Sequence, residues 1–225
     1  VEFFDEMSEK VFLNGEFIAR DKAYISPEDR GFYFADGVYE VIRCFKGSFF
    51  AFKEHMQRLK RSLCETRINF RDINSLNSTC KKIIYKNNLE SKYADIYIQI
   101  TRGVHRRMHR FPVKDIKPTV YINAYERLPS VNEMKRGVKV ITRTDIRWLR
   151  CDIKSVSLLP NTLLFQEAYD ENASECIFIR DGIVTEASHS NVMGVKTGVI
   201  FTHPNGNFIL SGITKKIVIN ICNDL

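Results

Sequence analysis

Two short apolar runs near the start of the chain flank the dipeptide Asn14-Gly15. Because Asn-Gly favours a type I′ turn, this pattern predicts a β-hairpin. The β-rich run GVYEVIRCF is followed by a turn at KGS and by FFAF, which predicts a second hairpin. Further strands are predicted at ADIYIQITRG and PTVYINAY.

Apolar residues at spacings of three and four predict helices between these strands. Met56, Leu59 and Leu63 follow this spacing within KEHMQRLKRSLCE, so a helix is expected over residues 53–65. A second helix is expected over about 74–87 and a third over about 158–171.

A polar stretch containing Pro129, Ser130 and Asn132 divides the chain and predicts a linker at 126–136. It would separate a smaller α/β domain (1–125) from a larger C-terminal domain (137–225). Short strands are expected at VKVITRT, ECIFIR, NVMGVK and GVIFTHP, and a final helix is expected to open at SGIT. The class is α+β in two lobes, and we expect the C-terminal part to be incomplete.

Composition indicates an ordinary globular protein of 225 residues, with 44% hydrophobic and 27% charged residues. No apolar run approaches the roughly 20 residues that span a bilayer. The stretch VEFFDEMSEK lacks the features of a signal peptide. The six cysteines are scattered singly, which favours neither a metal site nor a disulfide framework. We therefore expect a cytoplasmic protein without membrane contacts.

The net charge of +7 raises the possibility of nucleic-acid binding. The one dense basic cluster is TRGVHRRMHR, residues 101–110. No nucleic-acid recognition motif accompanies it. Nucleic-acid binding is therefore kept only as a remote alternative.

One lysine, Lys154, lies in a largely apolar context. Most lysines in such a place keep the ammonium in water at the end of a flexible stem. A lysine that is desolvated can instead lose its proton and attack a carbonyl as a neutral amine. Glu186, after a β-rich run, is either a solvent-facing strand-end carboxylate or a partner for a cofactor ring nitrogen.

Three further stretches contain groups suited to anions. The SGIT segment, residues 211–214, opens a helix whose first N–H groups favour an anion, although many plain helix starts look alike. Arg58 lies beside the apolar stripe of its helix and is suited to phosphate, although a solvent-facing arginine is the default. Arg107 and His109 lie in a loop where they could together hold a carboxylate.

Taken in order, these stretches resemble the fold-type IV pyridoxal-phosphate enzymes, the class IV aminotransferases. The resemblance rests on EDRGFYFADGVYEVIR, EHMQRLKRS, RWLRCDIKSVSLLPNTLLFQEA, VTEASHSNVMGV and LSGIT. Within the family, the Arg107-x-His109 pair is similar to the carboxylate trap of the D-amino-acid transaminase branch. The expected reaction is amino transfer between D-amino acids such as D-alanine and 2-oxo acids such as 2-oxoglutarate. Branched-chain L-amino-acid transaminases and aminodeoxychorismate lyases of the same fold are the alternatives.

The resemblance implies a role for each candidate residue toward pyridoxal 5′-phosphate or substrate. Lys154 would form the Schiff base and move the substrate proton, and Glu186 would pair with the pyridine nitrogen. The other implied cofactor contacts are Arg58, Ile213 and Thr214 to the phosphate, Leu210 to the ring, and Ser188. The implied substrate-carboxylate contacts are Tyr39, Arg107 and His109, the last two reaching across a homodimer.

The chain departs from the family pattern at two places. His189 stands where relatives tend to have a small serine, which we expect to reshape the surroundings of the cofactor. Relatives also continue past residue 225 with a segment rich in serine and threonine. Two expectations therefore stay open: the chain as given is an active enzyme, or it is an inactive relative.

Overall fold

The structure is a computed structural model that describes residues 9–224, and it divides into two compact units. The first unit contains residues 9–129 together with Lys154–Ser157, and the second contains residues 130–153 and 158–224. The short segment around Lys154 thus belongs with the first unit, although the chain on either side of it belongs to the second.

The first unit is built on a six-stranded antiparallel sheet with the order β2-β1-β6-β5-β3-β4. Its strands are β1 (Lys10–Leu13), β2 (Glu16–Ala19), β3 (Gly37–Phe45), β4 (Ser48–Phe49), β5 (Tyr93–Thr101) and β6 (Thr119–Glu126). The predicted first hairpin is confirmed, since β1 and β2 pair around Asn14 and Gly15, which both have positive φ. The predicted strands at β3, β5 and β6 are also confirmed.

Three helices accompany this sheet: α1 (Arg30–Phe34), α2 (Phe52–Glu65) and α3 (Leu76–Lys86). Helix α2 packs on β3, and α3 packs on β1 and β6. Their buried residues include Leu59 and Leu63 of α2 and Ile83 of α3, which follow the predicted apolar stripes. The chain enters α3 through a 3₁₀ turn at Ile73–Ser75, so the helix begins slightly later than predicted.

The second unit contains a three-stranded sheet and a separate hairpin. Its elements are α4 (Val131–Arg136), β7 (Val140–Thr144), α5 (Leu159–Asp170), β8 (Glu175–Arg180), β9 (Ile183–Ala187), β10 (Met193–Lys196), β11 (Val199–Thr202) and α6 (Ile213–Asp224). Strands β7 and β8 are parallel, β8 and β9 are antiparallel, and β10 pairs with β11. Helix α5 closes a small core around Leu164, Cys176 and Phe178.

Several elements differ from the expectations, although the predicted mixed class is confirmed. The second predicted hairpin has only a two-residue return strand, because Ala51 adopts a left-handed conformation (φ 49°) and α2 begins at Phe52. Helices α1 and α4 were not predicted, and strand β9 was anticipated only as the β-rich run before Glu186. Across residues 9–224, no helix combines the length and apolar character that a membrane crossing requires.

Candidate active site

Lys154 is held against the first half of β3 by backbone hydrogen bonds. The Tyr39 N–H donates to the Lys154 carbonyl (3.0 Å), and the Val156 N–H donates to the Gly37 carbonyl (3.1 Å). The Lys154 N–H donates to the Ser62 hydroxyl of α2 (3.2 Å). The segment therefore lies along β3, and its backbone position is fixed by the sheet rather than by a loop.

The side chain of Lys154 lies over an aromatic ring of the same strand. Its Nζ atom is 4.2 Å from the centroid of the Tyr39 ring, and Tyr39 in turn packs against Tyr97 of β5. The neighbours Ile153 and Ser155 are buried, as the apolar context predicted. Trp148 and Leu149, earlier in the chain, are instead exposed, so the buried surroundings do not extend to them.

Arg58 is fixed by a buried carboxylate that lies on the inward face of β3. Its Nε and Nη2 atoms donate to the two oxygens of Glu40 at 2.8 and 2.7 Å. His55 Nδ1, one turn earlier on α2, lies 2.8 Å from Glu40 Oε2. A guanidinium held by such a two-point contact keeps a fixed direction, which is the property that phosphate recognition needs.

The Glu40 carboxylate is fully buried, with 0% of the residue exposed. Burial alone would raise its pKa, but hydrogen bonds from Arg58 and His55 and the charges of Arg58 and Lys154 hold it below the ordinary value. Glu40 is therefore ionised at neutral pH and pairs with the cation on α2.

Arg107 and His109 lie in the long loop between β5 and β6, and both are exposed. The structure brings them to one ring: the Arg107 guanidinium carbon is 5.3 Å from the Phe34 centroid, and the His109 and Phe34 centroids are 5.4 Å apart. Tyr39, the third predicted carboxylate contact, lies on β3.

Glu186 lies on β9 in the second unit and is buried, with 6% exposed, so it is not a solvent-facing residue. It pairs with the Arg147 guanidinium. Arg147 is itself held by Asp145 through two contacts of 2.9 and 2.8 Å. Burial raises the pKa of Glu186, against the opposing effect of Arg147. Burial acts in the same direction on Asp145, but hydrogen bonds from Arg147 lower the pKa of Asp145 to about 2.

The start of helix α6 is joined to Glu186 through Asn191. Asn191 Nδ2 donates to Glu186 Oε2 (3.0 Å) and to the Leu210 carbonyl (2.9 Å), and the Leu210 N–H donates to the same Glu186 oxygen (3.0 Å). A Cβ on Gly212 would lie 1.8 Å from Asn191 Oδ1, so only glycine allows this approach. Glu186, Leu210 and the helix start therefore form one cluster, next to buried Ile213 and exposed Thr214.

Ser188 and His189 are oriented toward Glu175. The Ser188 hydroxyl is 3.4 Å from Glu175 Oε1, and His189 Nδ1 is 3.1 Å from the same atom. The His189 ring also packs against Phe165 of α5, with centroids 5.5 Å apart. The effect of His189 on a bound cofactor and the contact from Ser188 stay predictions.

The sequence reasoning missed the residues that hold the candidates in place: Glu40 and His55 around Arg58, and Arg147 and Asn191 around Glu186. One signal was available for Glu40. It occupies an inward position of the alternating run in β3, between the buried residues Val38 and Ile42, and a carboxylate there requires a partner.

Comparisons with known proteins give a family match, relatives in sequence and relatives in fold. The profile of the family described as Amino-transferase class IV matches residues 37–225. The chain is 44% identical to a D-alanine aminotransferase of Staphylococcus epidermidis over 218 residues, which is 96% of this chain and 76% of the relative. Its fold is similar to a branched-chain amino acid aminotransferase of Escherichia coli (TM-score 0.86, 25% identity, 96% of this chain and 75% of that chain). It is also similar in fold to the T.th. branched-chain amino acid aminotransferase complexed with N-(5′-phosphopyridoxyl)-L-glutamate (TM-score 0.82, 24% identity, 96% of this chain and 74% of that chain).

Proposed function

The chain belongs to the class IV aminotransferases, as its motifs predicted, and from this premise we propose that it transfers amino groups between D-amino acids and 2-oxo acids. D-alanine and 2-oxoglutarate are the proposed pair of substrates. The proposal rests on the shared contact of Arg107 and His109 with Phe34. It is also supported by the 44% identity to a D-alanine aminotransferase.

Each unit contains groups of the kinds that pyridoxal 5′-phosphate requires. Lys154 offers an amine for the aldehyde, buried Glu186 a carboxylate for the ring nitrogen, and Arg58 a fixed cation for the phosphate. The first N–H groups of α6, at Ile213 and Thr214, would share the phosphate, and Leu210 and Ser188 are the remaining proposed contacts. When bound, the cofactor supplies an electron-poor ring that accepts the electron pair left on the substrate α-carbon.

In the proposed reaction, the neutral amine of Lys154 takes the proton from the substrate α-carbon and later returns a proton. A positioned base of this kind contributes roughly 10²–10⁴-fold to rate. The backbone bonds to Tyr39 and Ser62 hold the Lys154 backbone at one place beside β3, and its amine is proposed to act from one side only. Substrate handedness then depends on where the carboxylate is bound.

Glu186 supplies the negative charge that favours a protonated ring nitrogen. Arg147 beside it favours the ionised carboxylate, which offsets part of the cost of burial. Asp145 holds the Arg147 guanidinium on its other side, so Arg147 is oriented before any cofactor binds.

Arg107, His109 and Tyr39 are proposed to bind the substrate carboxylate. A bidentate arginine contact gives such an anion a single orientation, and an orientation of this kind determines which hand of amino acid presents its α-proton to Lys154. We further propose a homodimer in which this loop serves the neighbouring copy.

A branched-chain L-amino-acid transaminase is the second candidate, favoured by the likeness in fold to the Escherichia coli enzyme. The identity to that protein is 25%, against 44% to the D-alanine aminotransferase. We therefore place it second, ahead of an aminodeoxychorismate lyase.

Pyruvate formation from D-alanine and 2-oxoglutarate by the cofactor-loaded chain tests the proposal. L-leucine with 2-oxoglutarate is the competing assay. The wild type should use D-alanine, K154A should be inactive, and R107A should lose D-alanine use while the control R106A, altered at the adjacent exposed arginine, keeps it. Use of L-leucine with no turnover of D-alanine would overturn the proposal in favour of the branched-chain alternative.

A further inference from the structure

The short helix α1 is anchored firmly to the ends of β5 and β6. Asp29 caps it by accepting from the Gly31 N–H (2.7 Å), and the Thr119 hydroxyl donates to the other Asp29 oxygen (2.5 Å). The Arg30 N–H donates to the Gly103 carbonyl (3.0 Å). A Cβ at Gly31 would lie 2.4 Å from the side chain of Thr101, so α1 lies directly on β5.

Arg30, on this helix, holds the backbone of the loop between Arg107 and His109. It is buried, with 2% exposed, and its Nη1 atom donates to the Met108 carbonyl at 2.6 Å. Its Nε atom donates to Asp36 (2.8 Å). Met108, which lies between the two proposed carboxylate ligands, is thus held by Arg30, and Asp36 fixes the direction of the Arg30 side chain.

Phe34, one turn after Arg30, is the ring on which the two ligand side chains meet. Arg30 and Arg107 place their guanidinium carbons 4.8 and 5.3 Å from its centroid, and the His109 ring lies at 5.4 Å. The aromatic face attracts both guanidinium groups. The guanidinium groups of Arg30 and Arg107 repel each other, and their shared contact with the Phe34 ring holds them together.

A second buried arginine completes the support. Arg102 donates to both oxygens of Asp36 at 2.7 and 2.9 Å, and its guanidinium carbon lies 3.6 Å from the centroid of Phe111 in the same loop. Two buried guanidinium groups thus share one carboxylate.

We propose that Arg30 and Phe34 are positioning residues that set the spacing of Arg107 and His109 before a substrate carboxylate arrives. The inference rests on the proposed function, because it concerns the same carboxylate contact. Side chains that are already ordered lose less conformational entropy when the substrate binds, so the binding free energy is more favourable. Both the amino acid and the oxo acid carry this carboxylate, so both should depend on the support.

The test compares F34L with F32L in the full, cofactor-loaded chain. Leucine keeps an apolar side chain but removes the aromatic face, and Phe32 lies on the same helix with 77% of the residue exposed. F34L should raise KM for D-alanine and for 2-oxoglutarate about tenfold, with kcat and cofactor affinity close to wild type. F32L should leave all four values unchanged.

Two results would overturn the inference: F34L with the KM values of F32L, or F34L with KM, kcat and cofactor affinity all impaired together. If F34L does not fold, R30K decides, since lysine keeps the charge but loses the two-point contact with Asp36 and Met108. R30K should raise both KM values with kcat retained, and wild-type KM values would contradict the proposal.

A measurement without turnover separates this inference from the proposed function. The imidazole NMR signals of His109 should shift in F34L, because the ring current of Phe34 is lost, and should not shift in F32L. If the wild type ignores D-alanine but the His109 signals shift, the proposed function fails and the contact between Phe34 and His109, on which the positioning depends, stands. Unshifted signals in F34L would refute the positioning itself, whatever the activity.

Discussion

Replacing Glu40 by glutamine removes the buried negative charge that fixes the direction of the Arg58 guanidinium. The carboxylate is fully buried and accepts two contacts from Arg58 and one from His55. Glutamine is nearly isosteric but offers a single carbonyl oxygen, so at least one of these donors faces an NH₂ group. The expected damage therefore comes from charge and hydrogen bonding rather than from a cavity.

The magnitude follows from the cost of removing one partner of a buried ion pair. Breaking such a pair typically lowers the free energy of unfolding by about 3–5 kcal/mol. For a chain of this size, each kcal/mol corresponds to roughly 2–4 °C in Tm. E40Q should therefore melt about 6–20 °C below the wild type at pH 7, whereas E16Q, at the exposed first residue of β2, should melt within about 2 °C of it.

The same substitution should remove a pH dependence. The folded-state pKa of Glu40 lies below its ordinary value of 4.5, so its contribution to stability is complete above about pH 4.5 and is lost as pH falls through the folded-state pKa. Glutamine has no proton to gain. The difference in unfolding free energy between wild type and E40Q should therefore shrink below pH 4.5.

Urea unfolding followed by far-UV circular dichroism at several pH values, for wild type, E40Q and E16Q, measures both effects. Equal stability of E40Q and E16Q at pH 7 would refute the view that Glu40 pairs with Arg58 in the folded protein. A difference between wild type and E40Q that stays constant down to pH 3 would refute the ionised state assigned to Glu40.

Two further substitutions test the cluster of the second unit. D145N should lower the free energy of unfolding by about 2 kcal/mol at pH 7. This loss should disappear between pH 3.8 and 2, because the pKa of Asp145 is lowered to about 2 in the folded protein. Unfolding followed by the fluorescence of Trp148 measures it, and a loss unchanged at pH 2 would contradict the pairing with Arg147. G212A should cost about 1–3 kcal/mol by pushing Asn191 away from Glu186; an unchanged Tm would show that this approach is not tight.

The β-rich run at β3 was enough to predict the strand, and its period of two is visible in the structure. Val38, Ile42 and Cys44 are all buried, as a period of two requires. The same pattern could not identify the partners of Glu40, because Arg58 lies 18 positions away on a helix. Periodicity predicts which face is buried, and tertiary packing decides which charges meet there.

Strand β9 was anticipated only in part, because its burial does not alternate. Ile183 and Val184 are exposed, whereas Thr185, Glu186 and Ala187 are all buried. The strand is instead held by β8 through a register that shifts between Ile177 and Ile179. A bulged pairing of this kind carries no period-two signal in the sequence.

The side chains that hold the loop of the proposed carboxylate ligands could not be predicted from the sequence either. Asp36 and Arg102 are 66 positions apart, and Arg30 and Met108 are 78 apart. No local pattern relates such residues. The motif around Arg107 and His109 was recognisable as a motif, while the side chains that fix its geometry emerged only from the folded chain.

The central claim is that the amine of Lys154 is the group that holds pyridoxal 5′-phosphate. Lys215 provides an internal comparison, because it is a buried lysine whose pKa is lowered by burial. Its Nζ donates to the His203 carbonyl (2.5 Å) and to Asn205 (3.2 Å). Borohydride reduction of the cofactor-loaded protein, followed by peptide mass mapping, fixes the cofactor to whichever lysine carries it. The label should lie on Lys154 alone; a label on Lys215 or on any other lysine, or none on a protein that has bound the cofactor, would contradict the account.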